Sequence, residues 1–311
     1  MSRSRWVVSL VVSSWLLLGG CASPDDPERP GPGERNDGLT VYAVNYPLAY
    51  FGERIGGDGV EVVLPVPAGE DPAFWSPAPE QVEAFQHADL IVLNGAGYAK
   101  WVERVTLPTS KLVDTTGGVR DRLIGIESTV THTHGPEGDH SHGETAFTTW
   151  LDPTLAVDQA WSIAFELSTR WPASVEGWQE RIAVIEQDLS VLDASLQQVF
   201  SERRDEPLLG SHPVYQYLAR RYALNLESVH FEPHEFPDDA AWAELEASLA
   251  RHPARWMLWE GEPMAETRTR LEELGVTSVV FDPCGNRPDE GDLLSVMQSN
   301  VENVRRAFGS N

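Results

Sequence analysis

The chain has 311 residues, enough to bury a sizeable core in one large domain or two modest ones. Asp and Glu outnumber Lys and Arg by 48 to 23, and the resulting net charge of −25 excludes nucleic-acid binding, which requires a basic surface. The same charge opposes docking on anionic lipid headgroups and favours the accumulation of cations near the protein.

The N-terminal segment is predicted to lie outside the fold. Two arginines precede an apolar stretch at 6–18, and Cys21 follows two glycines, a pattern that resembles a bacterial lipoprotein signal. We therefore expect residues 1–20 to be removed and Cys21 to carry the lipid that anchors the protein to a membrane. Residues 21–38 are rich in proline, glycine and charge, which predicts a disordered tether.

From residue 39 onward, strand patterns alternate with helix patterns, which predicts βαβ units and mainly parallel sheets. The predicted strands of the first half are 39–44, 60–66, 89–94 and 111–114, and its helices are 47–55, 79–88 and 97–105. The predicted strands of the second half are 206–211, 226–231, 255–260 and 277–282, and its helices are 214–222, 238–251, 263–274 and 289–308.

Between these halves lie a predicted helix at 154–169 and the clearest helical pattern of the chain. Seven apolar residues from Trp178 to Val199 are spaced alternately by four and three positions, which predicts one helix of roughly 30 residues, or about 45 Å. We expect an α/β fold of two lobes joined by this helix, with a ligand bound between them where the loops after the strands converge. The predicted domains are 39–150, the linking helices 151–205 and 206–311.

Four of the nine histidines occur in the stretch 131–142, THTHGPEGDHSH. His132 and His134 form one His-x-His pair, and His140 and His142 form another. Imidazole is the commonest protein ligand of zinc, copper and nickel, and short His-rich tracts are typical of metal binding. Because glycine and proline interrupt the stretch, we predict a mobile loop without helix or strand. A solvated polar loop without a ligand is the alternative interpretation.

Polar residues also lie at the ends of the four predicted strands of the second half, either as the last residue or directly after it: His212, Glu232, Glu260 and Asp282. A histidine and an aspartate at neighbouring strand ends suit a divalent metal ion. Each carboxylate could also be a helix cap or a solvated loop residue. We interpret His230 and His234, in the same region, as ordinary surface or loop residues.

Long motifs of the chain resemble a known family, the zinc- and manganese-binding lipoproteins that deliver metal to ABC importers (the cluster A-I periplasmic metal-binding proteins). The resemblance implies two lobes bridged by one long helix, with a zinc or manganese ion between them. It also implies an ABC permease and an ATPase as partners. We expect an exported monomer without enzymatic activity, anchored at the periplasmic or outer cell surface. The motifs are found at 46–72, 79–101, 150–153, 211–225 and 281–301.

The resemblance also implies four metal-ligand positions, and two of them differ in this chain. Ala73 stands where the family has its first histidine, and Thr148 stands where it has its second. His212 and Asp282 match the other two positions. Zinc usually takes four ligands, so other side chains are expected to complete the set. The candidates are His132, His134, His140, His142, Glu232, Glu260 and Cys284.

Some alternatives do not need a complete metal site. Cys284 could be an ordinary buried thiol. Phe74 and Trp75 follow the altered first position, and Trp256 and Trp259 flank a strand end, so an aromatic cleft could hold a metal chelate or an organic ligand. A degenerate family member could also act as a metal buffer or an adhesin. No nucleophile elbow, phosphate loop or HExxH motif supports an enzyme.

Overall fold

The computed structural model of the protein describes residues 38–126, 131–134, 138–141, 145–201 and 203–309, the two short ranges by their backbone alone. The predicted signal peptide and lipidated Cys21, the predicted tether up to residue 37, and His142 lie outside the described residues. Within the described ranges, no helix combines the length and the apolar character needed to cross a membrane.

The N-terminal lobe is a four-stranded parallel sheet flanked by helices. Its strands follow the order β2-β1-β3-β4, and all pairings are parallel. Instead of the helix predicted at 97–105, a short 3₁₀ helix forms at Lys100–Arg104, because Ala99 takes a left-handed backbone conformation at its start. The elements are β1 (Leu39–Ala43), α1 (Tyr46–Gly56), β2 (Val60–Val63), α2 (Pro79–His87), β3 (Leu90–Leu93) and β4 (Leu112–Asp114).

The His-rich stretch contains an antiparallel hairpin, so the prediction of a loop without strands is wrong. β5 (Thr131–His134) pairs with β6 (Gly138–Ser141), and His132 is the register partner of His140. Threonine alternates with histidine in β5, and β-branched residues favour extended backbone. At the base of the segment a bridge joins Gly125 to Thr145.

Two long helices follow the hairpin: α3 (Pro153–Arg170) and α4 (Trp178–Ser201). The side chain of Asp152 caps α3 by accepting a hydrogen bond from the Thr154 N–H at 3.0 Å. α4 has 24 residues, fewer than predicted, since Gly177 with φ of +77° immediately precedes its first residue. The predicted stripe is buried from Ile182 to Leu196, and α4 contacts α1, α3 and α8 (Leu293–Gly309), which belong to both halves of the chain.

The C-terminal lobe is a second four-stranded parallel sheet. Asp292 and Ser295 exchange hydrogen bonds at the start of α8, which explains why this helix begins four residues later than predicted. The other elements are β7 (Leu208–Gly210), α5 (Gln216–Tyr222), β8 (Leu226–Ser228), α6 (Asp239–Arg251), β9 (Trp256–Trp259), α7 (Ala265–Glu273) and β10 (Thr277–Val280).

The two sheets share one topology. Read from β8, the second sheet has the order β8-β7-β9-β10, which corresponds strand for strand to β2-β1-β3-β4. In each sheet the chain steps to one side of the first strand and then to the other, so switch points lie between β1 and β3 and between β7 and β9. The predicted fold class, two parallel α/β lobes joined by a long helix, is confirmed. The predicted lobe boundaries at 150 and 205 stay predictions.

Candidate functional site

A cavity of about 450 Å³ lies between loops of the two lobes. The N-terminal lobe contributes the loop after β2, Tyr98 and the segment that precedes α3. The C-terminal lobe contributes loops that follow all four of its strands. The predicted residues His212, Glu232, Glu260 and Asp282 all line the cavity. Parallel strands present their carboxyl ends at one edge of a sheet, so these four positions, far apart in sequence, converge there.

His212 is placed by the turn that follows β7. Hydrogen bonds tie the neighbouring loops to this turn: the Ser211 N–H donates to the Leu258 carbonyl at 2.8 Å, and the Phe231 N–H donates to the Ser211 carbonyl at 2.7 Å. The imidazole is only 5 % exposed. Its Nδ1 lies 3.3 Å from Oε1 of Glu232. The two side chains form an ion pair only when the imidazole is protonated.

Glu260 follows β9 and is surrounded by other acidic groups. Burial raises the pKa of Glu260 well above the ordinary carboxyl value, and the negative charges of Asp71, Glu232 and Asp282 raise it further. A bound cation would reverse these unfavourable interactions, because it neutralises the charge that the carboxylates share.

Asp282 follows β10, and hydrogen bonds hold both its backbone N–H and its backbone carbonyl. Its backbone N–H donates to Oδ1 of Asn300 at 3.0 Å, and its carbonyl accepts from Nδ2 of the same residue at 2.7 Å. Burial raises the pKa of Asp282, and a hydrogen bond from the Cys284 N–H to Oδ1 at 2.7 Å opposes that rise. The carboxylate is therefore fixed in position toward the cavity that it lines.

The charge of the cavity lining is one-sided. Among the described residues that line it, five are acidic, two are histidines and none is Lys or Arg. The same part of the chain contains no group of three or more His, Cys, Asp or Glu side chains already close enough to hold a metal ion. The donors share one cavity but must move toward each other to contact a single ion.

Aromatic rings form the N-terminal wall of the cavity. Phe147 meets Phe74 edge-to-face at 6.4 Å and Tyr98 at 5.2 Å, and Tyr98 meets Trp150 at 5.8 Å. These contacts are typical of stable aromatic packing. Of the four aromatic residues proposed from the sequence, only Phe74 lines the cavity.

The other three aromatic residues proposed for the cleft do not line the cavity, contrary to the interpretation from the sequence. They are Trp75, Trp256 and Trp259. All three belong to the hydrophobic core, with exposed fractions of 8 %, 4 % and 0 %. Their rings contact Trp101, Phe308 and Phe231, respectively. Both faces of strand β9 are buried. Its two tryptophans are therefore buried although they point to opposite faces of the sheet.

The two altered positions have structural roles. Ala73 is buried and outside the cavity lining, and its N–H donates to Oδ1 of Asp71 at 2.8 Å. Thr148 lines the cavity, but its hydroxyl donates to the carbonyl of Val214 in the other lobe. A hydroxyl engaged in this way ties the lobes together and is a poor replacement for an imidazole ligand.

Cys284 lies outside the cavity lining, which counts against the predicted ligand role. Cys284 is buried. Burial raises the pKa of its thiol, and the negative charge of Asp282 raises it further, so the thiolate that a metal requires is disfavoured. The interpretation of His230 and His234 as ordinary surface or loop residues stays a prediction, and His234 is indeed an exposed turn residue. His234 lines the cavity, and the ring of His230 meets that of His212 edge-to-face at 5.6 Å.

Hairpin histidines His132, His134 and His140 are described by their backbone alone, so their predicted role as ligands stays a prediction, like that of His142. The bridge between Gly125 and Thr145 brings the chain back two residues before Phe147, which lines the cavity. The chain on either side of the His-rich stretch is therefore joined close in sequence to the aromatic wall.

The candidate site residues predicted from the sequence did not include Asp71. It lies in the loop after β2 and lines the cavity, as Glu232 does in the loop after the corresponding strand β8. The two sheets have the same strand order, so the loop after β2 is equivalent to the loop after β8. A comparison of these two loops could have identified Asp71.

The family model described as "ZnuA: Zinc-uptake complex component A periplasmic" matches residues 41–307. The zinc-binding lipoprotein AdcA of Streptococcus pneumoniae serotype 4 is 26 % identical and covers 96 % of this chain. This chain spans 60 % of the length of that relative. The high-affinity zinc uptake system protein ZnuA of Bacillus subtilis is 23 % identical, with 97 % of each chain covered.

Solved structures share the fold. The metal-dependent lipoprotein YcdH of Bacillus subtilis has a TM-score of 0.73 at 21 % identity, covering 86 % of this chain and 98 % of its own. The binding protein FpvC of Pseudomonas aeruginosa in complex with Mn²⁺ has a TM-score of 0.70 at 22 % identity, covering 88 % and 99 %. These likenesses establish the two-lobed architecture. The family description names an uptake component, in agreement with the expectation that the chain is not an enzyme.

Proposed function

Because the chain belongs to the ZnuA family of periplasmic zinc-uptake complex components, we propose that it captures a divalent metal ion, zinc above all, and presents it to an ABC permease. The observation that carries this proposal is the cavity between the lobes. Four loops of the C-terminal lobe deliver two imidazoles and three carboxylates to it, and no Lys or Arg is found among the described lining residues. Such a set attracts cations and repels anions.

Binding proceeds by exchange of protons for metal. His212 must be neutral to donate a lone pair, and the carboxyls must be ionised. At 30 Å³ per molecule of liquid water, a 450 Å³ cavity accommodates a hydrated ion before the donors close around it. No covalent bond in the cargo is made or broken, so capture and release depend on this exchange and on the closure of the donors around the ion.

We infer that this capture step takes place at a membrane. Lipid on Cys21 would anchor the protein on the extracytoplasmic side, and the tether would let the lobes reach a permease with its ATPase. The His-rich hairpin would serve as an accessory collector of metal or as a donor of the missing ligands. Its attachment beside Phe147 is compatible with both roles.

A second candidate function is favoured by the aromatic wall. Phe74, Tyr98, Phe147 and Trp150 offer ring faces and edges that a bare ion does not need. A metal chelate with an aromatic ligand would place its metal against the carboxylates and its rings against this wall. Zinc bound to 2,2′-bipyridine is a suitable probe: tighter binding than for zinc alone would favour this alternative.

Metal analysis and competition titration with a chromophoric chelator test the proposal. The wild type is expected to bind Zn²⁺, and the double variant His212→Ala/Asp282→Ala is expected to lose that binding. His87→Ala, which removes an exposed histidine outside the cavity, is the matched control and should bind normally. Equal binding by wild type and double variant would refute a metal site in the cavity. Deletion of 131–142 then separates the hairpin roles, since a small loss indicates a collector and abolition indicates a ligand donor.

A further inference from the structure

The C-terminal lobe lines the cavity with several metal donors, whereas the N-terminal lobe has lost the imidazoles at positions 73 and 148. An ion held by one lobe alone would not draw the two lobes together. The N-terminal lobe must therefore offer another donor if metal is bound between them. Among its described residues that line the cavity, only Glu70 and Asp71 have charged side chains.

Asp71 faces the donors of the other lobe. Its charge acts on the Glu260 carboxyl across the cavity, ahead of the charges of Glu232 and Asp282. It acts on Tyr98 of the aromatic wall as well. Asp71 is exposed, so an ion in the solvent can reach it, and it lines the cavity together with the donors of the other lobe.

Hydrogen bonds from both lobes hold the loop that carries Asp71. Within the loop, Oδ1 of Asp71 accepts from the Ala73 N–H at 2.8 Å. From the C-terminal lobe, Nδ2 of Asn286 donates to the carbonyl of Pro67 at 2.7 Å and to that of Glu70 at 2.8 Å. Asn286 follows Asp282 by four residues, so one segment carries a donor and also positions the opposite loop. This arrangement ties the loop that carries Asp71 to the segment that carries Asp282.

From this geometry we infer that Asp71 is the metal contact of the N-terminal lobe, so that the ion is held by one imidazole, His212, and by carboxylates from both lobes. The inference rests on the proposed function. An oxygen-dominated set with a single imidazole favours harder divalent ions than a histidine-rich set does. The cavity therefore accepts Mn²⁺ as cargo alongside Zn²⁺. Asp71 reduces the difference between the affinities for the two ions.

Asp71→Asn is the decisive variant, because asparagine keeps the Oδ1 acceptor for the Ala73 N–H and removes only the charge. Mn²⁺ affinity should fall at least about tenfold, in the range seen when even an orienting partner of a metal ligand is lost. The fall for Zn²⁺ should be smaller. Asp58→Asn, an exposed change of the same kind in the same lobe and outside the cavity lining, should leave both affinities unchanged.

Asp71→His supplies an independent measurement, since it replaces oxygen by nitrogen at the same place. The ratio of Zn²⁺ affinity to Mn²⁺ affinity should rise above that of the wild type. Wild-type affinities for both ions in Asp71→Asn would overturn the inference, as would an equal loss in Asp58→Asn or an unchanged affinity ratio in Asp71→His. If the wild type bound neither ion, the proposed function itself would fail, which is a distinguishable result.

Discussion

His212 and Glu260 occupy the strand ends beside the switch point of the C-terminal sheet, and Asn45 and Asn94 occupy the corresponding ends of the N-terminal sheet. The first pair lines the cavity. The second pair is buried in an uncharged network, in which Oδ1 of Asn94 accepts from Asn45 at 3.2 Å and from Gln159 at 3.1 Å. One topology therefore supports two different chemistries at the same location.

The difference shows how the lobes divide the work. Nδ2 of Asn94 also donates to the carbonyl of Phe147 at 2.9 Å, so the neutral network fixes the segment that carries the aromatic wall and Thr148. Fully satisfied buried networks of this kind specify one backbone arrangement. The N-terminal lobe thus provides a rigid wall and contacts between lobes, and the C-terminal lobe keeps ionisable donors that can respond to a cation.

Removing a donor from the C-terminal lobe should have the largest effect. Asp282→Asn keeps an acceptor for the Cys284 N–H but loses the charge, so we expect Zn²⁺ affinity to fall about 100-fold, or about 2.7 kcal/mol. Competition titration measures this loss. Asp289→Asn, an exposed change of the same kind outside the cavity lining, is the control. A loss of less than about threefold would contradict the assignment of donors to this lobe.

Removing a contact between the lobes should act on stability. Nε1 of Trp150 donates to the carbonyl of Pro283 at 2.7 Å, and Trp150→Phe leaves that buried carbonyl without this donor. We expect a loss of about 1–3 kcal/mol in the free energy of unfolding, measured with urea. Trp161 is 39 % exposed and donates to Glu186 at 2.7 Å, so Trp161→Phe should cost less than about 0.5 kcal/mol. Equal losses would show that the contact between the lobes has no special weight.

Neutralising one acidic group of the cavity should stabilise the metal-free protein. The pKa of Glu260 is raised in the folded state, so its contribution to stability is fully present below the ordinary value of 4.5 and is lost as the pH rises through the folded pKa. Glu260→Gln should therefore be more stable than wild type at neutral pH, by on the order of 1 kcal/mol. The advantage should vanish in acid. Urea unfolding between about pH 4 and pH 8 measures it.

The exposed helical substitution Glu244→Gln provides the matched control, since it removes the same charge far from the cavity lining. Its stability should follow that of the wild type across the pH range. A Glu260→Gln protein that was less stable than wild type at neutral pH would show that this carboxylate has a stabilising partner.

The smallest effect is expected at Thr148. Thr148→Val retains the shape but loses the hydrogen bond to the Val214 carbonyl, which should cost about 1 kcal/mol of stability. Metal affinity should stay within about twofold of wild type, because this side chain joins the lobes and does not contact the ion. Thr148→Ser retains the hydroxyl and should restore the stability. A tenfold or larger loss of metal affinity in Thr148→Val alone would break the division of roles between the lobes.

Local patterns in the sequence were sufficient for most of the elements, with the hairpin of the His-rich stretch and the 3₁₀ helix at Lys100–Arg104 as exceptions, and for four residues of the candidate site. The apolar strands and the stripe of α4 follow from periodicity, which each segment carries by itself. His212, Glu232, Glu260 and Asp282 could be named because each ends a predicted strand or directly follows one, and parallel strands end at one edge. That Ala73 and Thr148 depart from the family pattern of metal ligands stays a prediction from the resemblance.

Only the packing of two lobes decided the rest. Thr148 and Val214 are 66 positions apart, and no local pattern indicates that the hydroxyl of one meets the carbonyl of the other. No local pattern indicates that Asp71 lines the same cavity as Glu260 of the opposite lobe. Nor does one indicate that Trp75, Trp256 and Trp259 belong to the core. Periodicity tells which face of an element is buried, but the partner across a cavity depends on how complete sheets meet, and that is set by long-range contacts.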